Sequence, residues 1–142
     1  MAFLEKSNWV TLVVSVPTLL VYLAVVVPQA LGQPIAEVSW VQPMIFTIVG
    51  FVVANVLGNV VAAASNPGEA DKNDERDREI NRVGERVGNW LIIAVSITAL
   101  VLAMARADHF WIANAIFLGS LGGALVSSVT KIAAYHGPFQ RW

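Results

Sequence analysis

Hydrophobic residues gather in four long stretches of the chain, none of which contains Asp, Glu, Lys or Arg. The stretches are residues 9–27, 41–64, 87–105 and 110–130. A helix needs about 20 mostly apolar residues to cross a bilayer, and each stretch meets that length. A soluble four-helix bundle would instead carry charged residues along the outer face of every helix. The pattern therefore predicts an all-α integral membrane protein with four transmembrane helices, packed as two helical hairpins in a single membrane domain, 1–142.

The polar segments between these stretches predict the connections. Residues 28–40 contain two prolines and one glycine and are expected to form an irregular extracytoplasmic loop. Residues 65–86 form a charged cytoplasmic segment. The link 106–109 is short enough for a tight helical hairpin, in which Asp108 suits the N-cap of the fourth helix.

The basic residues predict the orientation. Only Arg106 lies between the third and fourth stretches, and none lies between the first and second. The other eight fall on the opposite side: Lys6, Lys72, Arg76, Arg78, Arg82, Arg86, Lys131 and Arg141. Lys and Arg are enriched in cytoplasmic loops, so we expect a plasma-membrane protein with both termini in the cytoplasm. Lys131, at the end of the fourth stretch, is expected to extend toward the headgroups.

Composition narrows the chemistry further. Of 142 residues, 56% are hydrophobic and 13% are charged, with a net charge of −1 and a mean hydropathy of +0.64; soluble domains carry about 25% charged residues. The absence of cysteine excludes disulfides and thiolate sites. His109 and His136 are expected on opposite sides of the membrane, so they cannot share a metal. We predict no catalytic residues, no metal site and no cofactor.

Small residues recur every fourth position in two of the stretches. Such a row lies along one helix face and lets another backbone approach closely. The rows are Gly50, Ala54, Gly58 and Ala62 in the second stretch, and Ala115, Gly119, Gly123 and Ser127 in the fourth. The simplest arrangement packs the second helix on the fourth through these rows. The same rows could equally build a homo-oligomer or hold another membrane protein.

Asn55 and Asn59 lie one turn apart on the same face of the second helix. They fit hydrogen bonding between helices, which contributes about 1 kcal/mol per bond. They also fit a polar path for a transported solute. The sequence leaves both interpretations open.

The charged segment supports further hypotheses. Seven acidic residues face five basic ones between positions 69 and 86, so nucleic-acid binding is not expected. Carboxylates and arginines three or four residues apart predict a helical extension, stabilised by salt bridges, that leads into the third span. A solvated extension and a docking surface for a cytosolic partner both fit. The residues of that docking surface would be Asp74, Arg78, Arg82 and Arg86.

This segment also carries a resemblance. Residues 74–80 read DERDREI and are followed by Arg82, Gly84, Arg86 and Gly88 at the start of the third span. The run resembles a motif in a family of small, uncharacterised prokaryotic four-span membrane proteins, described as a domain of unknown function. The resemblance implies a four-span architecture in a bacterial or archaeal cell membrane, and it implies no activity, substrate or catalytic residue.

Three functional hypotheses follow. The first is a non-enzymatic membrane protein that acts through helix packing, as an accessory, regulatory or scaffold subunit or as a homo-oligomer. The second is a small oligomeric transporter or channel for a neutral or uncoupled solute, with Asn55 and Asn59 along the route. The third is an enzyme at the membrane interface, for which Asp108 and His109 are the candidate residues.

Overall fold

Four α-helices make up the structure, a computed structural model that describes residues 3–65 and 75–136. They are α1 (Phe3–Gly32), α2 (Val41–Ala64), α3 (Glu75–Met104) and α4 (His109–His136). A short 3₁₀ helix, Ile35–Glu37, lies between α1 and α2. All four α-helices are long and apolar enough to span a membrane, and the described ranges contain no strand. The predicted all-α class with four spans is confirmed, and the chain is a multi-pass membrane protein.

The bounds of α2 match the predicted span, whereas α1 is longer than predicted at both ends. The expectation of an irregular loop from residue 28 is wrong, because α1 continues through Pro28 to Gly32. Proline removes one helical hydrogen bond, but the following turn is still closed. The backbone N–H of Gln33 donates to the carbonyl oxygen of Gln29 at 3.1 Å, and the side chain of Gln29 donates to the carbonyl of Val25 at 3.0 Å.

α3 is one continuous helix that joins the charged segment to the third apolar stretch. The predicted helical extension is confirmed from Glu75 onward. The remainder of the charged segment, including Asp74, lies outside the described residues. At ~1.5 Å per residue, the 30 residues of α3 extend ~45 Å, more than the hydrocarbon thickness of ~30 Å. The surplus length lies at the charged end.

The helices pack in the order α2, α1, α4, α3. α3 packs on α4, α1 packs on α2, and α1 also packs on α4. The two predicted hairpins are therefore present and are joined through α1 and α4. The expected pairing of the second helix with the fourth is wrong. An open groove of about 430 Å³ lies between α2 and α4, lined from α2 by Met44, Ile48 and Phe51.

The turn between α3 and α4 is the predicted tight hairpin. The backbone N–H groups of Arg106 and Ala107 donate to the carbonyls of Ala103 and Leu102 at 3.0 and 2.9 Å, which is the Schellman pattern. Arg106 adopts the left-handed conformation, with a φ of 55°. Asp108 then caps α4, because its Oδ1 accepts the backbone N–H of Phe110 at 2.9 Å. The predicted N-cap is confirmed.

Candidate functional site

The small-residue row of α4 lies against α3. A Cβ placed on Gly119 would collide with the side chain of Val95. A Cβ placed on Gly123 would lie 3.3 Å from Cγ1 of Ile92 and 3.5 Å from the backbone oxygen of Gly88. The row therefore does pack a helix, but its partner is α3 instead of the expected α2, because α3 contributes glycine backbone at the same level.

Gly84 and Gly88 on α3 complete this close approach. A Cβ on Gly88 would lie 3.1 Å from Cβ of Ser127, and a Cβ on Gly84 would collide with the aliphatic stem of Lys131. Both glycines are buried. Sequence reasoning missed their packing role, although the signal was present as a four-residue Gly spacing that enters the third span. We call the contact of Gly84, Gly88, Gly119 and Gly123 with the facing helix the glycine seam.

The small-residue row of α2 is divided between contact and open surface. A Cβ on Gly58 would contact the side chain of Val10 on α1, and Ala62 is buried. Ala54 is half-buried, as is Ala115 on α4. A Cβ on Gly50 would meet no atom within 4 Å. The part of the row toward the C-terminus of α2 thus lies in packed surroundings, with Gly58 against α1, whereas Gly50 lies in open space.

Asn55 and Asn59 lie where α2 packs on α1. The hydroxyl of Thr11 on α1 contacts Oδ1 of Asn55 at 3.1 Å, as a hydrogen-bond donor. The side chain of Asn59 donates to the carbonyl of Asn55 at 2.9 Å, and that of Asn55 donates to the carbonyl of Phe51 at 3.3 Å. Both amides are therefore engaged with helix backbone or with α1.

A second polar contact between helices joins α1 to α4. The hydroxyl of Tyr22 donates to Oδ1 of Asn114 at 2.6 Å, and the side chain of Asn114 donates to the carbonyl of Phe110 at 2.8 Å. Tyr22 is 1% exposed, and its ring meets Phe117 edge-on with centroids 4.7 Å apart. Sequence reasoning did not single out this pair. Its signal was a lone tyrosine within an otherwise aliphatic and small-residue part of the first span.

Lys131 packs on α3, and its expected extension toward the headgroups stays a prediction. It is 8% exposed and lies along α3, where the missing side chain of Gly84 makes room for its stem. Its Nζ is 3.8 Å from Oε1 of Glu85, and Nδ2 of Asn81 donates to the same oxygen at 2.8 Å. A buried ammonium needs a partner of opposite charge, and Glu85 provides it.

Three helix ends meet at this charged end of the bundle. Nε2 of His136, near the end of α4, lies 3.7 Å from Oε1 of Glu5, near the start of α1. The hydroxyl of Tyr135 is buried beside the carboxylate of Asp77 on α3. The N-terminal end of α1 and the C-terminal end of α4 therefore lie at the same end of the bundle. His109 starts α4 at the opposite end, as predicted.

The predicted arginine row is exposed on α3. Arg78, Arg82 and Arg86 all face outward, and none has an ion-pair partner among residues 3–65 and 75–136. The salt bridges predicted along this segment are therefore not formed by these three arginines within the described ranges. Asp77 instead turns inward and is only 9% exposed. Asp74, the fourth residue of the predicted docking surface, lies outside the described residues.

Comparisons with known proteins supply no relative. Protein-family models, curated proteins and solved structures give no match to this chain. The resemblance of residues 74–88 to a prokaryotic membrane-protein family stays a prediction. In the described ranges, no group of three or more His, Asp or Glu residues could hold a metal ion.

The glycine seam predicts that the same substitution destabilises the protein at one glycine and leaves its stability unchanged at a neighbouring glycine. Gly119→Ala should lower the free energy of unfolding by about 1–3 kcal/mol, since the new methyl collides with the stiff, β-branched Val95. Gly122→Ala is the matched control. Its Cβ would lie 3.8 Å from Leu91, an ordinary contact, so we expect no loss. Reversible unfolding in mixed micelles, followed by circular dichroism, measures both. Equal losses would contradict the seam.

The contact between Tyr22 and Asn114 predicts a measurable coupling. Tyr22→Phe retains the ring contact with Phe117 and removes only the hydroxyl, so stability should fall by about 0.5–1.5 kcal/mol. A double-mutant cycle with Asn114→Ala cancels the loss of the Asn114 bond to the backbone. The coupling energy should be about 0.6 kcal/mol, the average for such bonds between membrane helices, and at most about 1.7 kcal/mol. Strictly additive effects would show that the two side chains do not interact.

Proposed function

We propose that this chain is a non-enzymatic membrane protein that acts by assembly. In this proposal α2 packs against a second copy of the chain or against another membrane protein. The chain then serves as an accessory, regulatory or scaffold subunit, or forms a homo-oligomer. Its place is the cell membrane, with both termini in the cytoplasm.

The observation that carries the proposal is the open glycine of α2. Gly50 lies in the interior of the helix, where glycine costs roughly 0.5–1 kcal/mol relative to alanine. A Cβ there would meet nothing within 4 Å, so no contact with the described residues offsets that cost. The flanking side chains Phe46, Val49 and Val53 are exposed. A glycine between exposed apolar residues is suited to close approach by a helix from outside the chain.

The polar contacts favour assembly over transport. The amides of Asn55 and Asn59 are hydrogen bonded at the packing surface of α1 and α2. The groove between α2 and α4 is lined almost wholly by apolar side chains, Ser120 being the exception. These features support helix packing as the task of both asparagines. The cap that Asp108 provides accounts for that residue without catalysis.

The proposed orientation rests on charge. Basic residues of α3 and α4 cluster at the end of the bundle where Glu5 meets His136, and Arg106 lies at the opposite end. Lys and Arg near span ends favour the cytoplasmic side. Both termini are therefore proposed to lie in the cytoplasm.

Native mass spectrometry from nanodiscs tests the assembly. We expect a defined homo-oligomer, or a second membrane protein in fixed ratio, and Gly50→Leu should reduce the assembled fraction at least tenfold. Gly32→Leu is the matched control, because Gly32 also has no neighbour within 4 Å of a Cβ but lies at the end of α1. The control should assemble like the natural chain.

Two outcomes would overturn the proposal. One is a chain that stays monomeric and without a protein partner in a bilayer at high protein density. The other is an assembly that both leucine variants weaken equally, since the effect would then not depend on the α2 face.

A further inference from the structure

A shallow groove lies on the outer face of α3, where the charged part of the helix continues into the apolar span. Its volume is about 270 Å³. The residues that line it are Arg82, Glu85, Arg86, Asn89, Trp90 and Ile93. All six belong to α3, so the groove is complete within one helix and does not depend on a second copy. It is also separate from α2, through which assembly is proposed.

The lining changes in character along the helix axis. Arg82 and Arg86 lie one turn apart at the charged end, Trp90 lies one turn further, and Ile93 follows within the apolar stretch. Trp90 is 68% exposed. From Arg82 to Ile93 the helix rises ~16 Å, at ~1.5 Å per residue. Cationic, then amphipathic, then aliphatic groups thus follow one another in the order of the phosphate, the glycerol esters and the acyl chains of a phospholipid.

The groove is positively charged although the surrounding segment carries more acids than bases. Glu85 is the only acid in the lining, and its charge is opposed by Lys131 Nζ at 3.8 Å. Arg82 and Arg86 have no ion-pair partner in the described ranges. Asp77 is turned inward. With Asp77 turned inward and Glu85 opposed by Lys131, Arg82 and Arg86 are left as two exposed cations without an ion-pair partner among the described residues.

We propose that this groove binds the headgroup of an anionic phospholipid. Arg82 and Arg86 donate hydrogen bonds to the phosphate, for which the planar guanidinium is well suited. Trp90 lies at the level of the glycerol esters, where indole rings concentrate, and an acyl chain follows Ile93. The exposed indole and the aliphatic side chain below it would add nothing to binding of a free phosphate ion. Their presence selects a lipid as the source of the anion.

Lipid binding to the full-length chain tests this proposal. Native mass spectrometry from detergent, with added phosphatidylglycerol or phosphatidylcholine, gives the affinity for each lipid. We expect phosphatidylglycerol to bind at least tenfold more tightly than phosphatidylcholine. The double change Arg82→Gln and Arg86→Gln should remove that preference. Arg106→Gln is the matched control, since it removes an exposed arginine from the opposite end of α3 and should leave the preference unchanged.

Salt dependence provides a readout that needs no variant. The preference for phosphatidylglycerol should decline as NaCl is raised, because exposed charges are screened. Inorganic phosphate at millimolar concentration should not displace the lipid. Three results would overturn the proposal: equal binding of the two lipids, an unchanged preference in the double variant, or displacement by inorganic phosphate, which would mark a site for the free anion.

Discussion

Lipid acyl chains are as apolar as leucine side chains, so the hydrophobic effect does not drive two helices together inside a membrane. Such helices associate through close backbone contact or through polar bonds. The glycine seam provides such close contact between α3 and α4. Gly84, Gly88, Gly119 and Gly123 each leave space that the facing helix fills, down to the stem of Lys131 at the charged end. Because α4 also packs on α1, the seam fixes the position of the helix that joins the two hairpins.

Polar contacts set the remaining positions. The bond from Tyr22 to Asn114 holds α1 on α4, and the contact of Thr11 with Asn55 lies between α1 and α2. At the charged end, Asp77 turns inward beside Tyr135, and the exposed carboxylate of Glu85 lies near the buried ammonium of Lys131. This division of charge is also what leaves the arginines exposed on the outer face of α3. The orientation of α3 therefore determines both which of its residues pack on α4 and which of its arginines are exposed on the surface.

Much of the fold could be predicted because the absence of charge over twenty residues is a local property. The bounds of α2, the hairpin turn and the cap by Asp108 all follow from neighbouring residues. Partner choice could not be predicted, since a small-residue row defines a face and says nothing of which helix meets it. The packing role of Gly84 and Gly88 was not predicted, because many residues around them are charged and such a pattern is typical of a solvent-exposed helix face. The Tyr22 contact joins positions 92 residues apart, which no local pattern reveals. The continuation of α1 past Pro28 could not be predicted either, because it depends on the hydrogen bond from the backbone N–H of Gln33 that closes the following turn.

The rest of the fold depends on the packing of α4 on α3, and disulfide cross-linking in native membranes tests that packing directly. The chain has no cysteine, so an introduced pair reports alone. A Cβ on Gly88 would lie 3.1 Å from Cβ of Ser127, within a few tenths of an ångström of the usual disulfide separation of about 3.5–4.5 Å. Gly88→Cys with Ser127→Cys should therefore cross-link within one chain on mild oxidation, and Ala62→Cys with Ser127→Cys should not. Cross-linking of the second pair in place of the first would place α2 against α4 and contradict the account.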